Sequence, residues 1–103
     1  MAAYHHHIRH EDLTRTLRAL VKFCRDHDHT ALTSLQGILD ALEQGDFETA
    51  SRRYQSLPSG PWCWDDWFPP VVYDHEDGDF VWTVFQALVE RWHRMMRTAI
   101  GIK

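Results

Sequence analysis

Apolar residues recur along this chain at spacings of three and four, the period of helices that bury one face. Leu13, Leu17, Leu20, Val21 and Cys24 predict a first helix from Glu11 to Asp26, with Glu11 and Asp12 in its first turn and Lys22 and Arg25 in its last. Carboxylates and cations so placed complement the helix dipole. Leu32, Leu35, Ile38, Leu39 and Leu42 predict a second helix from Ala31 to Gln44, with Asp28 or Thr30 as its cap. Gly45 suits the left-handed residue that ends it, and Asp46 then caps a third helix from Phe47 to Ser56 that buries Phe47, Ala50 and Tyr54. Val81, Val84, Phe85, Leu88, Val89, Trp92, Met95 and Met96 share one face of a long last helix, from Phe80 to Thr98, capped by Asp77 or Asp79 and ended by Gly101. A rival reading pairs Val71-Val72-Tyr73 with Phe80-Val81-Trp82 as a hairpin. The cleaner helical period favours the helix. The expected fold is all-α: a compact four-helix domain of antiparallel helical hairpins. No second copy of a hairpin appears, so a repeat array is rejected.

Leu57-Pro58-Ser59-Gly60-Pro61 stops the third helix, and the stretch from Trp62 to Asp79 follows. It holds five aromatic rings and six carboxylates in eighteen residues, with no Lys or Arg. Pro61, Pro69 and Pro70 oppose a helix through its front half. A connector of this length is functional or disordered, and disordered segments are poor in aromatics. The chain therefore predicts a long ordered aromatic and acidic connector before the last helix.

With 103 residues, 44% of them hydrophobic and 25% charged, one domain spanning 1–103 is expected, with a flexible His-rich N-terminus over 1–9. At this size roughly 60–65% of the unfolded surface is buried, enough for one core. No apolar run approaches the roughly 20 residues of a membrane span. The opening Met1-Ala2-Ala3-Tyr4 lacks a signal peptide's basic and apolar regions, so a cytoplasmic location is the expectation. Cys24 and Cys63 are read as free thiols.

Net charge is −4, unevenly spread. Residues 1–53 carry seven Lys or Arg against eight Asp or Glu, residues 54–90 carry seven acids and no base, and residues 91–103 carry four bases and no acid. The acidic middle repels phosphates, which argues against nucleic acid, and attracts a basic protein.

No catalytic residue and no cofactor is expected from the motifs present. His75-Glu76-Asp77-Gly78-Asp79 begins like a zinc-protease motif but has Asp79 where the second His is needed. Placing Gly78 at the glycine of a calcium loop puts Val84 where the final glutamate belongs. The adjacent His5, His6 and His7, with His10, do not converge on one ion. Asp26-His27-Asp28-His29-Thr30 is read as a capping, solvated break rather than a metal site. Clustered rings with a polar tip are the residues that dominate binding hot spots. Trp64, Asp65, Asp66, Trp67, Tyr73, Asp74, Glu76 and Asp77 are thus the expected contacts for a basic protein partner. The structural alternative folds the rings back over the core and leaves the acids solvated.

The passage Tyr73-Asp74-His75-Glu76-Asp77-Gly78-Asp79-Phe80 leads into a final helix ending Arg97-Thr98-Ala99-Ile100-Gly101-Ile102-Lys103. It resembles one helical family among the bacterial immunity proteins of interbacterial toxin systems, over roughly the last third of the chain. The resemblance implies a stoichiometric inhibitor that covers a toxin's active site and performs no chemistry itself. Two alternatives stay open at this point. One is a metal-binding enzyme or sensor using His75, Glu76, Asp77 and Asp79. The other is a homodimeric structural or regulatory subunit joined through the last helix, where Phe23, Trp82 and Trp92 fall at stripe edges.

Overall fold

The structure, a computed structural model, describes residues 9–29, 31–57 and 71–101. Helix α1 spans His10–Asp26, α2 Leu32–Glu43, α3 Phe47–Gln55 and α4 Gly78–Ile100. Among the described residues there is no strand, and no helix is long and apolar enough to cross a membrane. The all-helical expectation holds. Residues 80–82 belong to α4, which removes the hairpin alternative.

The stripes meet in one core. α1 supplies Leu13, Leu17, Leu20, Val21 and Cys24; α2 supplies Leu35, Ile38, Leu39 and Leu42; α3 supplies Ala50 and Tyr54; α4 supplies Phe85, Val89, Trp92, Met96 and Ala99. α1 packs against both α2 and α4, and α2 packs against α3. Burying each large apolar side chain contributes about 1.5–3 kcal/mol. Trp92, expected at a stripe edge, is fully buried and meets the Tyr54 ring edge-on at 5.2 Å and 89°. That geometry sets the positive ring edge against a negative face. Phe47, expected inside, is half-buried. Burial pushes the Cys24 thiol up to about 12, so it is an inert core residue. Cys63 lies outside the described residues.

Local chemistry sets the helix ends. Gly45 adopts φ 76° after α2, and Asp46 Oδ1 accepts from the Thr49 N–H at 3.0 Å to cap α3. Asp77 Oδ1 accepts from the Phe80 N–H at 3.2 Å, so α4 starts two residues earlier than its apolar stripe implies. Gly101, at φ 91°, closes it. The link from α1 to α2 departs from expectation. Asp28 does not cap α2; it takes φ 51° and points its carboxylate at Tyr73. An Asp tolerates that left-handed conformation better than most residues. No side chain among the described residues caps α2; His29 Nδ1 accepts from the N–H of Ala31, just before the helix, at 2.9 Å, and Thr30 lies outside the described residues. His27 and His29, expected in a solvated break, are 9% and 5% exposed.

Candidate interaction surface

Residues 71–77 approach α4 by crossing the turn between α1 and α2. Val71 N–H donates to the His27 carbonyl at 3.1 Å, and the Tyr73 hydroxyl donates to Asp28 Oδ2 at 3.0 Å. A tight turn follows, in which the Glu76 N–H donates to the Tyr73 carbonyl at 2.9 Å and the Tyr73 N–H donates to Glu76 Oε1 at 3.0 Å. The second carboxylate oxygen of Glu76 lies 2.7 Å from His27 Nε2. The other ring nitrogen of His27 lies 2.9 Å from the Phe23 carbonyl. Three attachments thus join one short segment to two consecutive residues.

Aromatic stacking continues this tie into the body. The His27 ring lies on Phe23 with centroids 4.2 Å apart, and Phe23 stacks on Phe85 at 5.9 Å. Phe85 also contacts His29 at 4.7 Å and Trp82 at 5.8 Å. On the outer side the Tyr73 ring runs parallel to His75, with centroids 6.1 Å apart. A row of rings therefore leads from core to surface.

The electrostatics follow from these contacts. Burial pulls the His27 pKa down, but its bonds to Phe23 and Glu76, with the charges of Glu76 and Asp26, outweigh burial and leave it raised. Glu76 is lowered, first by the Tyr73 N–H and then by His27. Tyr73 is raised because its hydroxyl proton is held by Asp28.

The expected contact residues divide. Trp64, Asp65, Asp66 and Trp67 lie outside the described residues. Asp74 and Asp77 are exposed, though Asp77 also caps α4; Tyr73 is exposed at its rim. Glu76 is turned inward on His27, with 19% of its side chain exposed, and is therefore a structural anchor rather than a docking acid. The metal set does not converge either. Glu76 faces His27, Asp77 faces its own helix, and among the described residues no three His, Cys, Asp or Glu are placed to hold an ion.

The sequence reading missed apolar partners of the acids. Every large hydrophobic residue that stands exposed among the described residues lies between Val71 and Trp82: Val71 43%, Val72 42%, Tyr73 37%, Phe80 68% and Trp82 37%. Exposed Asp74, Asp77 and Asp79 interleave with them. Val72 Cγ1 sits 3.9 Å from where a Cβ on Gly78 would stand, which brings the segment against the first turn of α4. Phe80 gave no signal of this, since it lies four residues before Val84 and so continues the α4 period. His27 did carry a signal of its burial, continuing the α1 stripe three residues after Cys24. Beyond Trp82 the outer face of α4 is mostly polar, with Thr83, Gln86, Glu90, Arg91 and Arg94 exposed.

Comparison of this chain with protein-family models, curated proteins and solved structures finds no match.

Proposed function

We propose that this chain is a non-enzymatic protein-binding module whose partner presents a basic, partly apolar face. The observation that carries the reading is the coincidence of two features at the start of α4. The exposed large hydrophobics among the described residues gather there, and residues 54–90 contain seven acids and no Lys or Arg. Apolar contact area rimmed by charge of one sign is the anatomy of a specific docking site. Phe80 and Trp82, projecting from a rigid helix, are anchors that lose little side-chain freedom on binding. Asp74, Asp77 and Asp79 steer a cationic partner and set its orientation. The same reading extends to Trp64, Asp65, Asp66 and Trp67. Its most concrete form, drawn from the resemblance of the last third, is an immunity-type inhibitor that occludes a basic toxin.

Affinity capture from native lysate, followed by repurification of the bound protein, tests this. A basic protein should be retained by the natural chain and released by a variant carrying Asp74→Lys, Asp79→Lys and Phe80→Ala. All three positions are exposed, so helicity should survive. Association should slow as salt rises, because screening shortens the reach of the acidic patch to about 8 Å at physiological ionic strength. Capture unchanged by the triple substitution rejects the surface.

A further inference from the structure

We infer that His27 and Glu76 form a proton-operated latch that holds residues 71–77, and with them half of the proposed docking surface, against the turn between α1 and α2. His27 Nδ1 lies 2.9 Å from the carbonyl oxygen of Phe23, and Nε2 lies 2.7 Å from a carboxylate oxygen of Glu76. A carbonyl only accepts, and so does an ionised carboxylate. Neutral imidazole carries one N–H, so only imidazolium satisfies both contacts. His27 exposes 11% of its side chain and Glu76 19%, which shields the pair from the screening that weakens surface pairs.

Loss of the proton breaks the arrangement on one side. Keeping the N–H on Nδ1 preserves the bond to Phe23, within the ring's own helix, and turns the Nε2 lone pair toward the Glu76 carboxylate. Keeping it on Nε2 turns a lone pair toward the Phe23 carbonyl and loosens the ring instead. In either case one of two bonds is lost. The Phe23 carbonyl also holds the His27 backbone N–H at 3.1 Å, and in either neutral tautomer Glu76 no longer faces a positive charge, so its hold on the segment is what weakens. Its release also removes the acceptor of the Tyr73 N–H, because the same carboxylate takes that bond through Oε1.

Neighbouring charges do not replace the latch. On α1, Asp26 is paired with Lys22 at 2.7 Å, and Arg25 donates to Gln36 of α2 at 2.9 Å. In the turn, Asp28 accepts from Tyr73 at 3.0 Å. On the segment itself, His75 lies parallel to Tyr73 and adds positive charge near Glu76. From α4 the group that reaches this cluster is the uncharged Phe85 ring, through Phe23 and His29.

The pKa directions agree, raised for His27 and lowered for Glu76. A raised base contributes its stabilisation below its unfolded pKa and loses it as pH rises through the folded one. A lowered acid contributes above its unfolded pKa and loses it as pH falls through the folded one. The latch is therefore closed between the ordinary values of 4.5 for Glu and 6.5 for His, and it opens as pH climbs past the raised pKa of His27. Its effect on partner capture rests on the binding reading above; the latch itself does not.

Amide hydrogen exchange on the full chain without a partner provides the test. Protection factors, which remove the intrinsic pH dependence of exchange, are compared at about pH 5.5 and about pH 8.5, either side of the ordinary histidine pKa of about 6.5. The Tyr73 and Val71 amides should lose protection about tenfold for each unit by which the His27 pKa is raised. In His27→Gln the same amides should show no pH dependence, while core amides of α1 keep their protection and certify the fold. Imidazole nitrogen NMR supplies a second readout, in which Glu76→Gln should lower the His27 pKa. Protection independent of pH in the natural chain overturns the latch, as does a His27 pKa unmoved by Glu76→Gln. Both readouts are independent of any partner, so failed capture would count against the docking surface and leave the latch standing.

Discussion

Two histidines in this fold each meet an oxygen from a distant element, and their pKa values shift in opposite directions. His93 of α4 faces the Tyr54 hydroxyl of α3, and His27 at the end of α1 faces the Glu76 carboxylate. Burial pushes the Tyr54 pKa up, so its hydroxyl keeps its proton beside His93 Nδ1. His93 is pushed down to about 4, first by burial and then by the charge of Arg97, and it stays neutral. Burial opposes charge at His27 as well, but there a carboxylate and a carbonyl outweigh it. The residue type is the same and both are shielded from water. The surroundings decide the outcome, with burial and the charge of Arg97 lowering one ring and a carboxylate and a carbonyl raising the other.

The comparison breaks most severely if the wall beside His93 is removed. Trp92 is fully buried and stands edge-on to Tyr54. Trp92→Ala should cost about 3–5 kcal/mol, the range for deleting a large aromatic from a core. Urea unfolding measures it directly, and the His27 contact, at the other end of α1 and α4, should persist in whatever fraction stays folded. A loss under about 1 kcal/mol would mean that the aromatic core on this side contributes little.

A smaller and more specific effect separates the two rings by pH. His93 has a folded pKa below its unfolded value, so the folded chain binds fewer protons and loses stability as pH falls from about 6.5 toward about 4. His27 contributes in the opposite sense and above that range, losing its stabilisation as pH rises from about 6.5 through its raised pKa. His93→Gln should therefore be less stable than the natural chain at neutral pH and should close the gap as pH falls to about 4.5, read from urea midpoints. A gap of constant width would show that His93 is not held neutral by the fold.

Much of the helical frame was legible because each signal is local or periodic. Buried faces recur at 3.6 residues, Gly45 and Gly101 occupy positions where a positive φ suits glycine, and Asp46 and Asp77 sit where exposed N–H groups need an acceptor. The site was only half legible. Acidity between residues 54 and 90 is plain from composition, but which acids face outward is not. Glu76 is consumed by a histidine 49 residues away, and Asp28 by Tyr73 45 residues on. A polar side chain carries no mark of its tertiary partner, so the Asp26–His29 break read as solvated until the segment folded across it. Phe80 shows the reverse case, an apolar residue that continues the α4 period four residues before Val84 and yet stands 68% exposed.

The smallest expected effect concerns an ion pair that resembles His27–Glu76 in spanning two elements and differs in exposure. Arg18 of α1 reaches Glu43 of α2 at 3.0 Å, with 58% and 42% of the side chains exposed. Water solvates both groups whether or not they pair, and holding two long side chains in one geometry opposes the attraction. Arg18→Met should therefore change stability by less than about 0.5 kcal/mol, and raising salt should erase even that. Methionine is close to the arginine stem in length and apolar character, so the substitution isolates the charge. His27→Gln serves as the matched comparison, because its acceptors are mostly shielded from water and its effect should survive added salt. If the two substitutions respond alike to salt, exposure does not distinguish these pairs, and the shielding on which the latch depends is absent. If only the Arg18 pair fades, the row of rings from Phe85 through Phe23 to His27 is what converts an ordinary charge contact into one strong enough to position a surface.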